Sequence, residues 1–147
     1  MVNKIYTLGY EKKKISEYLK ILTSSRINVL IDVREKAWSH KTDFCKTKLR
    51  LHLQSVGIHY LHLPEAGNPI EIRKTSKTIS VCLNRYRRYL EKTEAGVYQL
   101  ASLIYQLSDE GYSVCLTCFE KDYCLCHRSI ILEVLQGKVM KFTIINL

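Results

Sequence analysis

Residues 117–128 read TCFEKDYCLCHR, the densest group of reactive side chains in the sequence. Such a set can bind a metal, exchange disulfides, attack a substrate through a thiolate, or simply pack. Cys115 and Cys118 have CxxC spacing, and Cys124, Cys126 and His127 add further donors, the raw material of a zinc site. The surrounding run YSVCLTC (112–118) reads as a strand, however, where an odd separation sends two side chains to opposite faces. Cys115 is therefore expected in the core, and no metal ligand and no cofactor is assigned. Cys118 paired with Cys124 or Cys126 keeps a thiol redox role open as an alternative.

The nucleophile reading rests on position. Cys118 falls at a strand end, and Cys126-His127-Arg128 opens the next helical segment, whose N-terminal amides favour a thiolate. Glu120 then serves as general base or orients His127. Equally, Glu120 is the principal catalytic group and Cys118 only shapes the pocket. The sequence leaves both standing.

These residues need elements to hold them. Apolar, β-branched or aromatic runs at 4–10, 28–34, 59–64, 112–118 and 141–146 predict five strands, mostly continuous in the manner of strands covered on both faces. Helical spacing appears at Ile15, Tyr18, Leu19 and Leu22, at Leu49, Leu53 and Val56, at Val97, Leu100, Ala101 and Ile104, and over about 126–137. Gly57 and Gly137 are candidate helix C-caps. Residues 65–80 read as a surface loop leading into a helix at about 80–92. The alternation predicts an α/β three-layer sandwich with a mainly parallel, Rossmann-like five-stranded sheet, in a single domain over 1–147.

In such a sheet, ligands bind beyond the carboxyl ends of the strands. If the strand order is 3-2-1-4-5, Gly9, Asp32, Arg34, Cys118 and Glu120 converge on one cleft there, with Tyr10 above it. Arg34 and Arg128 would hold an anion, and Asp32 joins Glu120 and His127 as an acid–base candidate. The quieter account is a structural ion network of Asp32, Arg34 and Glu120. His59 and His62 are expected to be ordinary polar residues at strand ends.

Lys plus Arg number 23 against 14 Asp plus Glu, a formal net charge of +9 that favours anionic partners. Arg73, Lys74, Arg85, Arg87 and Arg88, interleaved with Tyr86 and Tyr89, form the candidate nucleic-acid-binding stretch. A solvated helix face explains it as well. No apolar run reaches the roughly 20 residues of a membrane span and no leader is seen, so a cytoplasmic location with no membrane partner is expected. Six cysteines without a leader read as reduced thiols. Oligomeric state has no signal.

The patterns T-x-G at 7–9, D-V-R at 32–34, G-I-x-Y-x-H-L-P at 57–64 and C-x-E-x-x-x-x-x-C-H-R at 118–128 resemble the family catalogued as domain of unknown function 488. The likeness runs from about Lys4 to Leu135. Its motif positions here are Gly9, Asp32, Arg34, Tyr60, Pro64, Gly67, Cys118, Glu120, Cys126, His127 and Arg128. The resemblance implies a compact Rossmann-like domain suspected of acting on nucleic acids or nucleotides. Two departures are Ala37-Trp38, where the family usually has proline after D-V-R, and the extra thiol of Cys124. The functional expectation is an enzyme-like domain that holds a nucleotide or nucleic acid, with Cys118 as candidate nucleophile. The alternatives are a non-catalytic nucleic-acid-binding module with a structural polar cluster, and a thiol redox or zinc-binding protein.

Overall fold

The computed structural model describes residues 4–138 and 140–147. Strands β1 (Lys4–Gly9), β2 (Val29–Asp32), β3 (His59–His62), β4 (Val114–Cys118) and β5 (Thr143–Asn146) form one sheet in which every pairing is parallel. Six helices cover it: α1 (Ile15–Ser24), α2 (Lys46–Ser55), α3 (Ile70–Thr75), α4 (Ile79–Lys92), α5 (Glu94–Asp109) and α6 (His127–Lys138). The architecture is the expected Rossmann-like α/β sandwich.

The order across the sheet is β3-β2-β4-β1-β5, not 3-2-1-4-5. Burial follows that order. All five residues of β4 are buried, whereas β5 and β3 are only partly covered and β1 begins at exposed Lys4. The two strands without an exposed position, β2 and β4, both lie inside the sheet, where neighbours and helices shield them.

Alternation along the strands sorts the core into two layers. Leu8, Leu30 and Cys115 pack with Tyr18 and Leu22 of α1 and Leu49 and Leu53 of α2. Ile5, Val29, Ile31, Leu116 and Cys118 face Tyr86 and Leu90 of α4, Leu100 and Ile104 of α5, and Ile131 and Leu135 of α6. Each fully buried aliphatic side chain contributes roughly 1.5–3 kcal/mol relative to exposure.

Two local expectations change. The segment read as a loop at 65–80 contains a 3₁₀ turn at Pro64–Ala66 and the short helix α3. Thr78 then caps α4, its side chain accepting from the Val81 N–H at 3.1 Å. Gly137 lies inside α6 rather than beyond its end, while Gly57 takes the left-handed conformation (φ 76°) just past α2. No described helix is long and apolar enough to cross a membrane.

Candidate functional site

Each strand end delivers its residues to the same edge of the sheet, but alternation separates them. Asp32 is in register with Thr117, and both side chains turn toward α1 and α2. Cys118, one residue further, packs in the opposite layer against α6. The expected convergence of Asp32 and Cys118 on one cleft is corrected accordingly.

Asp32 is fully buried in a closed network. Its Oδ1 accepts from Arg34 Nε at 2.9 Å and its Oδ2 from Arg34 Nη2 at 2.7 Å, a bidentate pair. Tyr60 donates its hydroxyl to the same Oδ2 at 2.6 Å, and Arg34 Nη1 donates to the Tyr10 hydroxyl at 3.2 Å. Burial works against the Arg34 charge, yet the hydrogen bonds and charge of Asp32 outweigh it and hold its pKa above the ordinary value. Burial, then the charge of Asp32, pushes the Tyr60 hydroxyl up. This is the ion network weighed in the sequence, built from Asp32, Arg34 and Tyr60 rather than Glu120. His62 bonds the Arg34 carbonyl at 2.7 Å, and His59 lies against Tyr112, so both are ordinary strand-end residues.

The other half of the edge is made by the connection from β4 to α6. Beyond the paired residues of β1 and β4, Tyr10 N–H donates to the Cys118 carbonyl at 3.2 Å and Glu11 N–H to the Phe119 carbonyl at 2.8 Å. This draws the 119–120 backbone across Gly9. A Cβ on Gly9 would overlap the Glu120 carbonyl, and Arg128 Nη2 donates to that same carbonyl oxygen. Gly9 therefore admits backbone, not a ligand. Arg128 is fully buried, with Nη1 donating to Thr7 Oγ1 at 2.5 Å and Nε to Cys126 Sγ at 3.4 Å. Burial lowers its pKa. Its guanidinium is committed to the protein rather than to a cleft ligand.

Cys118 Sγ lies 3.1 Å from Glu120 Oε2 and within bonding distance of Cys126 Sγ, the pair that the structure joins. His127, the first residue of α6, places Nε2 2.7 Å from the Val33 carbonyl and Nδ1 3.5 Å from Cys126 Sγ. Burial lowers the His127 pKa to about 4, so the ring is neutral at pH 7. Burial likewise raises Glu120 above the usual carboxylate range.

A cleft of about 900 Å³ opens over this edge. Tyr10, Arg34, Cys118, Glu120 and His127 line it, as do Lys12, Lys36, Trp38, Asn68, Arg73 and Phe119. Gly9, Asp32 and Arg128 do not. Sequence reasoning passed over Lys12, Lys36, Trp38 and Asn68, which sit on connections without a chemical motif; the unusual Ala37-Trp38 was the one signal. Asn68 is buried, and its Oδ1 has no hydrogen-bond partner among the described residues.

The basic stretch divides. Arg73 reaches the cleft rim, its Nε donating to the Asn68 carbonyl at 2.9 Å. Arg85 bonds Thr75 Oγ1 at 2.8 Å and Ser76 Oγ at 2.9 Å at the end of α3, and Arg87 pairs with Glu133 at 2.7 Å. Lys74 and Arg88 are exposed.

Residues 14–135 match the family described as domain of unknown function DUF488. The chain belongs to the DUF488 family. No curated protein and no solved structure matches it. In this DUF488 chain the Asp32–Arg34 motif builds a buried network, and the Cys118–Glu120–His127 motif faces the cleft.

Proposed function

We propose that this domain is an enzyme that holds a nucleotide, or the end of a nucleic-acid strand, in the cleft and acts on it at the wall formed by Cys118, Glu120 and His127. The observation that carries the reading is the lining itself. Lys12, Lys36 and Arg73 offer cations to phosphates, while Trp38 and Phe119, both exposed, offer aromatic faces to a base. The volume is in the range of small-molecule sites, roughly 300–1,000 Å³. The unpartnered Asn68 Oδ1 suits an N–H of the ligand. Glu120, partly exposed beside the Cys118 sulfur, is the group placed to move a proton. Arg34 supports this wall by positioning Tyr10 rather than by grasping phosphate.

Calorimetric titration with mono-, di- and triphosphate nucleotides and short single strands tests the reading, with mass spectrometry of the recovered ligand as the assay for turnover. Binding that weakens with salt and in Lys36→Glu and Arg73→Glu is expected, together with product formation lost in Glu120→Gln at unchanged melting temperature. Absence of binding across the panel would reject it. Arg85 and Arg87 are engaged with the protein, so the α4 face beyond Arg73 is the weaker candidate for phosphate contact.

A further inference from the structure

Cys118 Sγ, Cys126 Sγ and a ring nitrogen of His127 all lie within 4.8 Å of one another. Cys118 ends the central strand, His127 opens α6 and Cys126 immediately precedes it, so two of the three are placed by regular elements of the sandwich. Three features distinguish the cluster from a pair of cysteines that merely meet.

The first concerns the histidine. The Val33 carbonyl can only accept, so the 2.7 Å contact places the proton on Nε2 and leaves the Nδ1 lone pair turned to the Cys126 sulfur at 3.5 Å. A histidine whose second nitrogen donates to a carbonyl is the usual arrangement of a metal ligand. On a tetrahedral zinc, with Zn–S about 2.3 Å and Zn–N about 2.0–2.1 Å, a ligand sulfur and nitrogen are roughly 3.5 Å apart.

The second concerns the sulfur. Cys126 Sγ accepts from the Arg128 backbone N–H at 3.5 Å and from Arg128 Nε at 3.4 Å. Two N–H donors, one on a cation, suit a thiolate. Among the described residues Arg128 has no carboxylate within ion-pair distance, so a thiolate at Cys126 would be its nearest negative charge.

The third concerns the rival, a Cys118–Cys126 disulfide. The Cα atoms are 7.8 Å apart, beyond the roughly 4.4–6.8 Å that a disulfide spans. That separation suits two ligands of one ion.

We infer that Cys118, Cys126 and His127 are three ligands of a divalent, thiolate-binding metal ion such as zinc, with the fourth position facing the cleft beside Glu120. Entry of the ion into the reduced, dithiol form spreads the two sulfurs and releases the thiol protons to solvent. Two thiolates then neutralise the dication next to the buried Arg128. Cys115, on the other face of β4, takes no part, so the metal set is not the CxxC pair that the sequence presents. The inference stands independently of what the cleft binds.

The test uses the full, untagged chain purified under reducing conditions. Elemental analysis should return about one zinc per chain. After chelation, titration with Co²⁺ alone should give one equivalent of tetrahedral cobalt with a thiolate-to-metal charge-transfer band, and metal should raise the melting temperature. Cys126→Ser and His127→Gln should lose that band, while Cys124→Ser, at an exposed thiol two residues away, should keep it. If the ligand variants fail to fold, the wild-type stoichiometry and cobalt spectrum decide. A reduced wild-type chain that takes up neither zinc nor cobalt would overturn the inference, as would undiminished uptake by folded Cys126→Ser. Failure of nucleotide binding with one tightly held metal would reject the proposed function and leave the metal site intact.

Discussion

Gly9→Ala isolates the contact on which the cleft wall rests. The added Cβ would fall 1.7 Å from the Glu120 carbonyl oxygen, 2.4 Å from its carbon and 2.9 Å from Arg128 Nη2. Two of these atoms are backbone, so no rotamer change relieves the overlap, and the 119–120 segment must retreat by roughly 1.5 Å to reach ordinary contact. Overpacking of this kind costs about 1–3 kcal/mol. The retreat also breaks the bond from buried Arg128 to the Glu120 carbonyl, worth about 1.5–3 kcal/mol for a charged donor. The combined loss is about 3–6 kcal/mol. At about 2–4 °C per kcal/mol for a chain near this size, the melting temperature should fall by about 6–24 °C. Thermal unfolding followed by far-ultraviolet circular dichroism measures this directly. Gly137→Ala is the internal comparison, because its Cβ would meet nothing within 4 Å. Within a helix that change gains up to about 1 kcal/mol, and the melting temperature should hold or rise slightly. A Gly9→Ala chain melting within about 2 °C of the wild type would refute the close backbone approach and, with it, the account of how Glu120 is placed.

Two further predictions concern the interior. Asp32→Asn leaves the Arg34 guanidinium buried without its carboxylate and should cost about 3–5 kcal/mol, whereas Tyr60→Phe removes one bond to Asp32 and should cost about 1–2 kcal/mol; equal losses in chemical denaturation would contradict the bidentate network. Among the thiols, Cys124 is exposed while Cys115 is fully buried with its pKa pushed up to about 12. Native iodoacetamide labelling at pH 8 should modify Cys124 and spare Cys115, whose thiolate fraction is about one in ten thousand, and peptide mass spectrometry showing comparable modification of both would contradict that burial.

The layered fold was legible because its signals are local. Continuous apolar runs marked the strands, and helical spacing such as Ile15, Tyr18, Leu19 and Leu22 marked α1. Strand order was not legible, since VLID and VCLTC are similarly apolar and both end fully buried, so neither run announces which lies at the centre. α3 escaped because six residues, IEIRKT, are too short to display a helical period. At the site, the types were readable and the directions were not. Asp32 and Cys118 both end strands, but a register offset of one residue sends them into different layers. The motifs gave Arg34 its neighbour Asp32, but not the distant contacts of Arg34 with Tyr10 and of Arg128 with Thr7, which only the folded sheet brings together.

The placement of residue 38 has a practical consequence. The chain has one tryptophan, 62% exposed on the wall of the cleft. Its indole emission therefore reports from that opening alone, without any attached dye. Collisional quenching by acrylamide measures how open the ring is to solvent, and shielding by an occupant registers as a drop in the quenching constant. The molecule thus carries its own optical gauge of occupancy.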